Sequence, residues 1–313
     1  MPYSNQISRA NAEALIPEDV SREIIQRVPE QSAIMRLARR LPDMSRSQRQ
    51  MPVLSSLITA YFVTGDTGLK QTSEVAWTDK YINAAELAVI VPIPEAVLSD
   101  TDYDVWGEIR PRITEAMGLA FDRAVLYGTN APADWPTSVV TGATAAGNTV
   151  TLGNGVDLYE DIMGTGGTLA TVEADGYMVT GHIGAMSMRS QLRGLRDANG
   201  VPIFVRTMNA ATAYELDGAP VEFPMNGGVN PALSLLISGD WSQLVYALRQ
   251  DITYKVLTEA VIQDAAGNII YNLAQQDMVA LRAVLRLGWQ LPNPVNRLQP
   301  TEANRYPFAV LLP

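Results

Sequence analysis

The spacing of apolar residues divides the chain into segments of different period. Residues 86–128 begin with an apolar stretch, ELAVIVPIP, and continue with apolar positions three or four residues apart, as on one face of an α-helix. The segment therefore predicts a strand, a corner at Pro94, and a long helix that ends near Gly128. The predicted apolar face of that helix consists of Trp106, Ile109, Ile113, Ala116, Met117, Ala120 and Ala124.

Pro111 leaves two interpretations of this helix open. Proline removes a backbone hydrogen bond inside a helix, so it either kinks the long helix or marks where that helix begins. Upstream, Asp100, Asp102 and Asp104 resemble the start of a calcium loop. Such a loop needs a glycine where Val105 stands and a glutamate where Pro111 stands, so we interpret these carboxylates as helix caps.

The first fifty residues predict two short amphipathic helices separated by proline. One covers residues 14–28 and starts at Pro17, and the other starts at Pro29. The second helix has an apolar stripe opposite three arginines. The stripe is Ile34, Leu37, Ala38 and Leu41, and the arginines are Arg36, Arg39 and Arg40. Because two such helices cannot form a core alone, they predict an arm that packs on another surface.

From Met51 the pattern becomes that of extended strands. MPVLSSLITAYFVT is rich in β-branched and aromatic residues, and a second apolar run returns to residue 92. Between them lies a polar tip that contains Gly65, Asp66, Gly68 and Lys70. This predicts a long hairpin, which is marginal in isolation and needs a surface to lie on. The two glycines give its tip the backbone freedom to bend.

The rest of the chain mixes helices and strands. Residues 129–155 are rich in Gly, Ala, Thr and Pro and are interpreted as loop, with a domain boundary near Thr129. Residues 156–245 alternate between helical and extended patterns, which indicates an α+β lobe. The predicted helices are Asp157–Ala170, with the GTGG step either inside it or ending it, and Ala185–Arg196. The predicted strands are Gly176–Thr180, Val201–Val205, Ala219–Phe223 and Leu233–Gly239.

Residues 278–290 alternate and predict a long strand with one face exposed to solvent. Val279, Leu281, Ala283, Leu285 and Leu287 point one way, while Arg282 and Arg286 point the other way. We expect this strand to pair with Leu87–Val91 and to lie against the long helix.

The charge is unevenly distributed over the 313 residues. The net charge is −10, but residues 1–50 carry eight Arg and six acidic residues, so the arm is mildly basic and the body strongly acidic. An acidic body disfavours adhesion to nucleic acid or to anionic membranes. A basic arm fits docking on an acidic copy of the same chain, although a solvated helix with surplus arginines explains the charge equally well.

No pattern for chemistry is found. The chain has no cysteine, which excludes disulfides and thiolate nucleophiles, and His182 is the only histidine. The glycine-rich step at Gly164, Gly166 and Gly167 lacks the lysine of a phosphate loop. No apolar run reaches the roughly 20 residues that span a bilayer. We therefore predict no catalytic, cofactor-binding or metal site, and a structural role.

The order of these segments resembles the major capsid protein of tailed bacteriophages, with the Hong Kong 97-type fold. The resemblance spans nearly the whole chain, and it depends on order rather than on a single motif. The stretches that carry it are ALIPEDVSREIIQRVPEQSAIMRLA, MPVLSS, VAWTDKYINAAELAVIVPIPEAVLSDTDYDVWGEI, AFDRAVLYGTN, LRDANGVPIF, GAPVEF, SGDWSQLVYALRQDI and QQDMVALRAVLRLGW.

The resemblance implies an α+β capsid fold in four parts. These are an N-terminal arm (1–50), an extended β-hairpin loop (51–92), a peripheral domain with the spine helix (93–129 and 241–295) and an axial domain (130–240 and 296–313). In that family the hairpin would lie across a neighbouring subunit, and the arm would clasp another. The residues expected at these contacts are Gly65, Asp66, Gly68, Lys70, Arg36, Arg39 and Arg40.

The implied function is to assemble into the pentamers and hexamers of an icosahedral phage head. The head would enclose double-stranded DNA without sequence-specific binding. Expected partners are copies of the chain itself, with scaffolding, portal and decoration proteins, and neither a cofactor nor a membrane. The protein would belong to the virion and be assembled in the cytoplasm of the bacterial host. The alternative is an encapsulin, a bacterial nanocompartment shell protein of similar fold.

Two properties of some family members are not expected here. Some join a hairpin lysine to an asparagine on the late strand, assisted by a glutamate. Lys70 and Lys80 are candidate lysines, but Asp277 and Val284 occupy the other two positions, so no covalent crosslink is predicted. Some members also carry an N-terminal scaffolding segment. The arm pattern begins near Ala14, so no such segment is expected in this chain. Either a separate scaffold exists or the sequence begins after the cut, and the initial Met favours the former.

Overall fold

The computed structural model describes residues 32–63, 68, 70, 72–99, 105–196 and 214–313. Within those ranges the α-helices are α1 (Ala33–Leu37), α2 (Glu95–Ser99), α3 (Val105–Tyr127), α4 (Val139–Ala146), α5 (Leu158–Met163), α6 (Thr168–Ala174) and α7 (Met186–Gly194). The strands are β1 (Arg39–Arg40), β2 (Gln48–Leu54), β3 (Trp77–Asn83), β4 (Ala85–Pro94), β5 (Thr149–Thr151), β6 (Gly181–Gly184), β7 (Tyr214–Leu216), β8 (Ala219–Glu222), β9 (Leu236–Gly239), β10 (Val245–Leu257), β11 (Val261–Gln263), β12 (Ile269–Asn272), β13 (Met278–Gln290) and β14 (Phe308–Leu312). Short 3₁₀ turns cover Trp241–Gln243 and Glu302–Asn304.

A four-stranded sheet has the strand order β1-β10-β13-β4, with the two longest strands in its centre. β13 is antiparallel to β4, so Leu285 lies opposite Leu87 and Leu281 lies opposite Val91. The predicted pairing of the late strand with this earlier run is confirmed. The inward side chains of β13 are buried in one core that also contains Trp241, Tyr246 and Phe308.

The opposite face of β13 is only partly exposed to solvent. Arg282 is exposed, and Arg286 forms an ion pair of 2.7 Å with Glu86 on β4. Gly288, on the same face, is instead covered by the end of β3. A β-carbon placed on Gly288 would lie 2.4 Å from the carbonyl oxygen of Asn83, so only glycine allows this close approach.

Helix α3 passes through Pro111 and continues to Tyr127. The interpretation that the helix begins near Pro111 is therefore wrong, because Pro111 lies inside a helix that starts at Val105. Gly128 has a φ of 71°, a left-handed conformation that ends the helix as predicted.

The buried face of α3 is rotated relative to the predicted one. Ile113 and Met117 are buried as expected, but Ala116 is exposed. Phe121 and Val125, which the predicted face omits, are almost fully buried. The larger side chains set the orientation, since burying them removes more apolar surface from water than burying alanine does.

The predicted hairpin divides into two parts in the structure. β2 and β3 pair antiparallel from Gln48 opposite Asn83 to Leu54 opposite Trp77. Beyond β2 the arms stay together, because the backbone N–H of Thr59 donates to Ser73 Oγ at 2.9 Å. The returning run 85–94 belongs instead to β4 in the four-stranded sheet.

A six-stranded sheet with the order β5-β14-β9-β6-β8-β7 forms the α+β lobe. The C-terminal strand β14 lies parallel to β5 and antiparallel to β9. β6 begins at Gly181, so the strand predicted over Gly176–Thr180 is displaced along the chain. β8 confirms the strand predicted from Ala219, and the one predicted over Val201–Val205 lies outside the described residues.

The interpretation of residues 129–155 as loop is wrong in part, because they contain α4 and β5. Gly147 ends α4 with a φ of 85°, and Asn148 Nδ2 donates to Asp175 Oδ2 at 2.7 Å. Helix Asp157–Ala170 is likewise two helices, α5 and α6. A β-carbon on Gly164 would lie 2.5 Å from the Glu160 carbonyl oxygen, so this glycine permits the tight turn between them.

In the described part of the arm, the helix ends earlier than expected. α1 covers only Ala33–Leu37, and Arg39 and Arg40 lie in β1, parallel to β10, rather than in a helix. The backbone N–H of Arg39 donates to the carbonyl of Leu244 at 3.0 Å, which the helical interpretation would not allow. The helix predicted over residues 14–28 and the carboxylates Asp100, Asp102 and Asp104 lie outside the described residues.

Candidate assembly surfaces

The hairpin exposes large apolar side chains to solvent. Phe62 is fully exposed, and Ile58 and Trp77 are more than half exposed. Tyr61 and Val63 in the same stretch are also exposed. Contiguous exposed apolar residues mark a surface that binds another protein. We name residues 58–63 the apolar tip segment.

The ribbon of β2 and β3 and the start of the apolar tip segment are fixed to their own chain by residues 295–302. The backbone N–H of Val295 donates to the carbonyl of Leu54 at 3.0 Å. Arg297 Nη2 donates to the carbonyl of Ile58 at 2.8 Å, and Lys80 Nζ lies 2.7 Å from Glu302 Oε1. The direction in which the hairpin leaves the body is therefore set by this segment.

Arg305 holds that segment in shape. Its guanidinium is buried, with 3% of the residue exposed, and donates to the carbonyls of Asn293, Gln299 and Pro300 at 3.0, 2.8 and 3.1 Å. Its Nε also donates to Asn293 Oδ1 at 3.1 Å. Arginine suits this position because its planar fork of donors can bond several carbonyls at once.

We expect Arg305→Ala to lower the free energy of unfolding by about 2–4 kcal/mol, because it removes a buried side chain and leaves three partly buried carbonyls without their donor. The matched control is Arg193→Ala on α7, an exposed arginine whose loss should change stability by less than about 0.5 kcal/mol. Denaturant unfolding of the unassembled chain measures both. Equal stability of the two variants would contradict this role of Arg305.

The predicted assembly residues are not brought together. Lys70 is exposed, Gly68 is partly buried, and Gly65 and Asp66 lie outside the described residues. The arginines lie elsewhere and mostly bind their own chain. Arg36 pairs with Glu222 at 2.8 Å, Arg40 pairs with Asp43 at 3.0 Å, and Arg39 is exposed in β1.

The apolar tip segment was missed as an assembly element. In the sequence this segment is part of the mostly apolar run LITAYFV, a pattern that is equally typical of a buried strand. Only the structure distinguishes the two, because it leaves Phe62 with no cover.

Asp122 of α3 anchors α1 to the body. Its carboxylate accepts from Ser32 Oγ at 2.5 Å and from the backbone N–H groups of Ala33 and Ile34 at 3.1 and 3.4 Å. Ser32 Oγ in turn accepts from the backbone N–H of Met35, which caps the helix. Burial raises the pKa of Asp122 to about 6, and these hydrogen bonds offset only part of that shift.

A groove lies between α3 and the edge formed by β4 and residues 129–135. It has a volume of about 320 Å³, and its floor is apolar, with Leu119, Phe121 and Trp135 among the lining residues. The Phe121 and Trp135 rings meet edge to face at 6.1 Å. Trp135 Nε1 donates to the carbonyl of Asn83 at 3.1 Å, which fixes one wall to the base of the hairpin.

The one histidine, which was considered as a catalytic residue, packs inside the fold. His182 is fully buried, with Nδ1 2.8 Å from Ser238 Oγ and Nε2 3.2 Å from the carbonyl of Leu216. Burial lowers the pKa of His182 to about 4. Among the described residues, no group of three or more His, Asp or Glu side chains is placed to hold a metal. Nor does any helix there have the length and apolarity to cross a membrane.

The positions considered for a covalent crosslink lie on separate elements of the fold. Lys80 is paired with Glu302, and Lys70 is exposed. Asp277 has a φ of 48° in the turn before β13, and its carbonyl accepts from the backbone N–H of Glu95. Val284 is buried in β13.

A projecting hairpin with exposed apolar residues, on a body whose polar side chains serve the fold, defines a protein that associates through its surface. Residues 12–297 match the sequence profile of the phage capsid family. The chain belongs to that family.

Individual relatives agree with this assignment. The major capsid protein of Staphylococcus phage 80alpha is 27% identical over 292 residues, which cover 91% of this chain and 84% of the relative. A solved structure from Microbacterium phage Oxtober96 is 39% identical, with a TM-score of 0.78, and the match covers 99% of this chain and 100% of that one. The capsid of a native GTA particle computed with C5 symmetry has a TM-score of 0.63 over 98% of each chain, but at 16% identity it shows the fold alone.

Proposed function

We propose that the chain is the major capsid protein of a tailed bacteriophage and assembles into the pentamers and hexamers of an icosahedral head. The observation that carries this is the match to the phage capsid family over nearly the whole chain. The exposed apolar tip segment supports it, because contiguous exposed apolar side chains, such as those around Phe62, are typical of surfaces that bind another protein. As a capsid protein it is part of the virion.

Within the Hong Kong 97-type scheme, we assign α3 as the spine helix. The four-stranded sheet and α3 correspond to the peripheral domain, and the six-stranded sheet corresponds to the axial domain near the capsomer centre. The arm occupies residues 1–50, and the extended loop is the ribbon of β2 and β3. The loop would cross a neighbouring subunit, which supplies the surface that a two-stranded ribbon needs.

The charge distribution supports the proposal that the shell encloses DNA. The body carries the excess of acidic residues, and the repulsion between it and phosphate would let packed DNA move without adhering. Scaffolding, portal and decoration proteins are further proposed partners, with assembly in the cytoplasm of the host. The comparisons favour a phage capsid protein over the encapsulin alternative.

Electron microscopy of the expressed protein tests the assembly function. We expect closed icosahedral shells, with or without a co-expressed scaffold from the same gene cluster. Monomers under every condition would contradict the proposal. Shells that copurify with an enzyme as cargo would instead favour the encapsulin function.

We predict that assembled particles contain no covalent crosslink between subunits. Asp277 has no amide to serve as electrophile, and the buried side chain of Val284 cannot transfer a proton. Denaturing gels of mature particles should show one band at the 34.0 kDa of a single chain. A ladder at multiples of that mass would show the prediction to be wrong.

A further inference from the structure

Residues 32–44 cross the junction between the two large sheets, and we name them the strap. Its helix α1 lies in the core cluster that also contains side chains of both sheets, and Ile34 is fully buried there. After α1 the strap follows β10, because the backbone N–H of Leu41 donates to the carbonyl of Tyr246 at 2.8 Å and so continues the pairing of β1. The second half of the strap therefore lies along the four-stranded sheet.

The strap also contacts the six-stranded sheet. Arg36 on α1 pairs with Glu222 on β8 at 2.8 Å. A β-carbon placed on Gly181, at the start of β6, would lie 3.3 Å from Cδ2 of Leu37, so the Leu37 side chain packs directly on that strand. The strap therefore connects the two sheets.

Asp122, which binds the start of the strap, also holds a loop of the α+β lobe. Its carboxylate accepts from Ser32 and from backbone N–H groups of α1, and the side chain of Asn226 donates to the same carboxylate. Asn226 begins the connection between β8 and β9, residues 226–234, which we name the lobe loop. A β-carbon placed on Gly228 of this loop would lie 3.4 Å from Cβ of Asp122, so the loop packs closely on α3 at this point.

The burial of Asp122 makes its two sets of donors depend on each other. Only 1% of the residue is exposed, and a buried carboxylate is unfavourable unless donors satisfy its oxygens. The strap supplies Ser32 and the loop supplies Asn226. Each donor offsets part of the cost of burying the carboxylate, so removing one raises the free energy of the position that the other donor also requires.

A second attachment of the lobe loop does not involve this carboxylate. Tyr127, one turn or more further along α3, accepts from the backbone N–H of Asn230 at 3.0 Å, and its hydroxyl lies 2.7 Å from Ser234 Oγ. The lobe loop can therefore be loosened at Tyr127 while Asp122 keeps its donors.

We propose that Asp122 is a latch that couples the strap to the lobe loop, so that loosening one of them loosens the other. Residues 1–31 join the strap at Ser32, so a partner that binds those residues acts on the α+β lobe through this latch. The device lies within one chain and goes beyond the proposed shell function.

Hydrogen exchange of the full unassembled chain, followed by mass spectrometry of its peptides, tests the coupling, because exchange measures local opening. Ser32→Ala removes the donor of the strap, and its effect is measured in the lobe loop. Asn226→Ala removes the donor of the lobe loop, and its effect is measured in residues 33–41. We expect each variant to raise exchange in the other segment roughly fivefold, since coupling between two sites is reciprocal.

Tyr127→Phe is the matched control. It removes the hydroxyl that holds the lobe loop but leaves the latch intact, so exchange should rise in the lobe loop and stay unchanged in the strap. Unchanged exchange in the other segment of Ser32→Ala and of Asn226→Ala would overturn the latch. An equal rise in the strap of Tyr127→Phe would also overturn it, because the strap would then respond to any loosening of the loop.

Gly228→Ala replaces Asn226→Ala if that variant does not fold. The added β-carbon would lie 3.0 Å from Asn226 Oδ1 and 3.4 Å from Cβ of Asp122, so it displaces the loop from the latch without removing a donor. Exchange in the strap should again rise, and unchanged exchange would overturn the coupling. The measurement needs no shells, so a failed latch leaves the shell function standing, and an absence of shells leaves the latch test intact.

Discussion

Replacing Gly288 with alanine should separate the hairpin from the sheet. The added β-carbon would lie 2.4 Å from the carbonyl oxygen of Asn83 and 2.8 Å from Cγ2 of Ile82, and a backbone atom cannot yield as a flexible side chain can. Ile82 is fully buried, so moving the end of β3 also opens a packed cluster. We expect the free energy of unfolding to fall by about 2–3 kcal/mol.

The same displacement should abolish shell formation at temperatures where the chain is still folded. The ribbon of β2 and β3 contacts the body next to Gly288, so a displacement at this point shifts the ribbon that carries the apolar tip segment. Denaturant unfolding measures the first effect, and electron microscopy or sedimentation measures the second.

Gly166→Ala is the matched control for Gly288→Ala. A β-carbon at Gly166 meets nothing within 4 Å, so both stability and shell yield should stay unchanged. Normal shells from Gly288→Ala, or equal losses from both variants, would show that the contact between β13 and β3 does not position the hairpin.

Long elements with a clear period could be predicted from the sequence. The alternation in residues 278–290 was enough to identify β13 and its partner β4, because thirteen residues leave little ambiguity of period. Which face of α3 is buried was harder to predict. Alanines such as Ala116 and Ala120 fit an exposed or a buried face equally well, so the position of Phe121 decided the orientation.

Short elements could not be predicted in the same way. The sequence of α4, VVTGATAA, mixes three alanines with a glycine and four β-branched residues of lower helix propensity, so its pattern is ambiguous. It is helical because it packs on β14 and ends at Gly147 in a left-handed conformation. β1 also forms because of a contact with a distant part of the chain. Arg39 and Arg40 look helical by local pattern, but pairing with β10 supplies their backbone bonds.

The assembly surface was the hardest to predict. Polar and glycine residues at a turn, such as Gly68 and Lys70, are visible in the sequence as a tip. An exposed aromatic such as Phe62 has the same local pattern as a buried one, and its exposure depends on what the rest of the chain leaves uncovered. The groove combines β4, α3 and residues 129–135, which are distant in sequence.

Two buried titratable groups, Asp122 and His182, should have opposite effects on the free energy of unfolding as the pH falls. The pKa of Asp122 is raised to about 6 in the folded chain, so its contribution to stability is greatest at low pH and is lost as the pH rises through about 6. The pKa of His182 is lowered to about 4, so the unfolded chain takes up its proton first, and stability is lost as the pH falls below about 6.5. Over that window the two effects partly cancel.

Asp122→Asn should therefore make the chain more sensitive to acid. The variant keeps one oxygen, which can accept from Ala33 or from Ile34, but it cannot take up the proton that stabilises the folded state. Between about pH 7 and about pH 5 it should lose about 1–2 kcal/mol more stability than the unmodified chain, because the loss from His182 is no longer offset. Denaturant unfolding of the unassembled chain at several pH values measures the difference.

The control for this variant is Asp79→Asn, which removes the same charge from an exposed position on β3 and should leave the pH dependence unchanged. His182→Gln should shift the dependence in the opposite direction, so that stability rises on acidification. Parallel pH profiles for the unmodified chain and Asp122→Asn would show that Asp122 does not titrate in this range. A confirmed effect would mean that Asp122, which joins α1 to α3, takes up a proton in the folded chain as the pH falls toward 5.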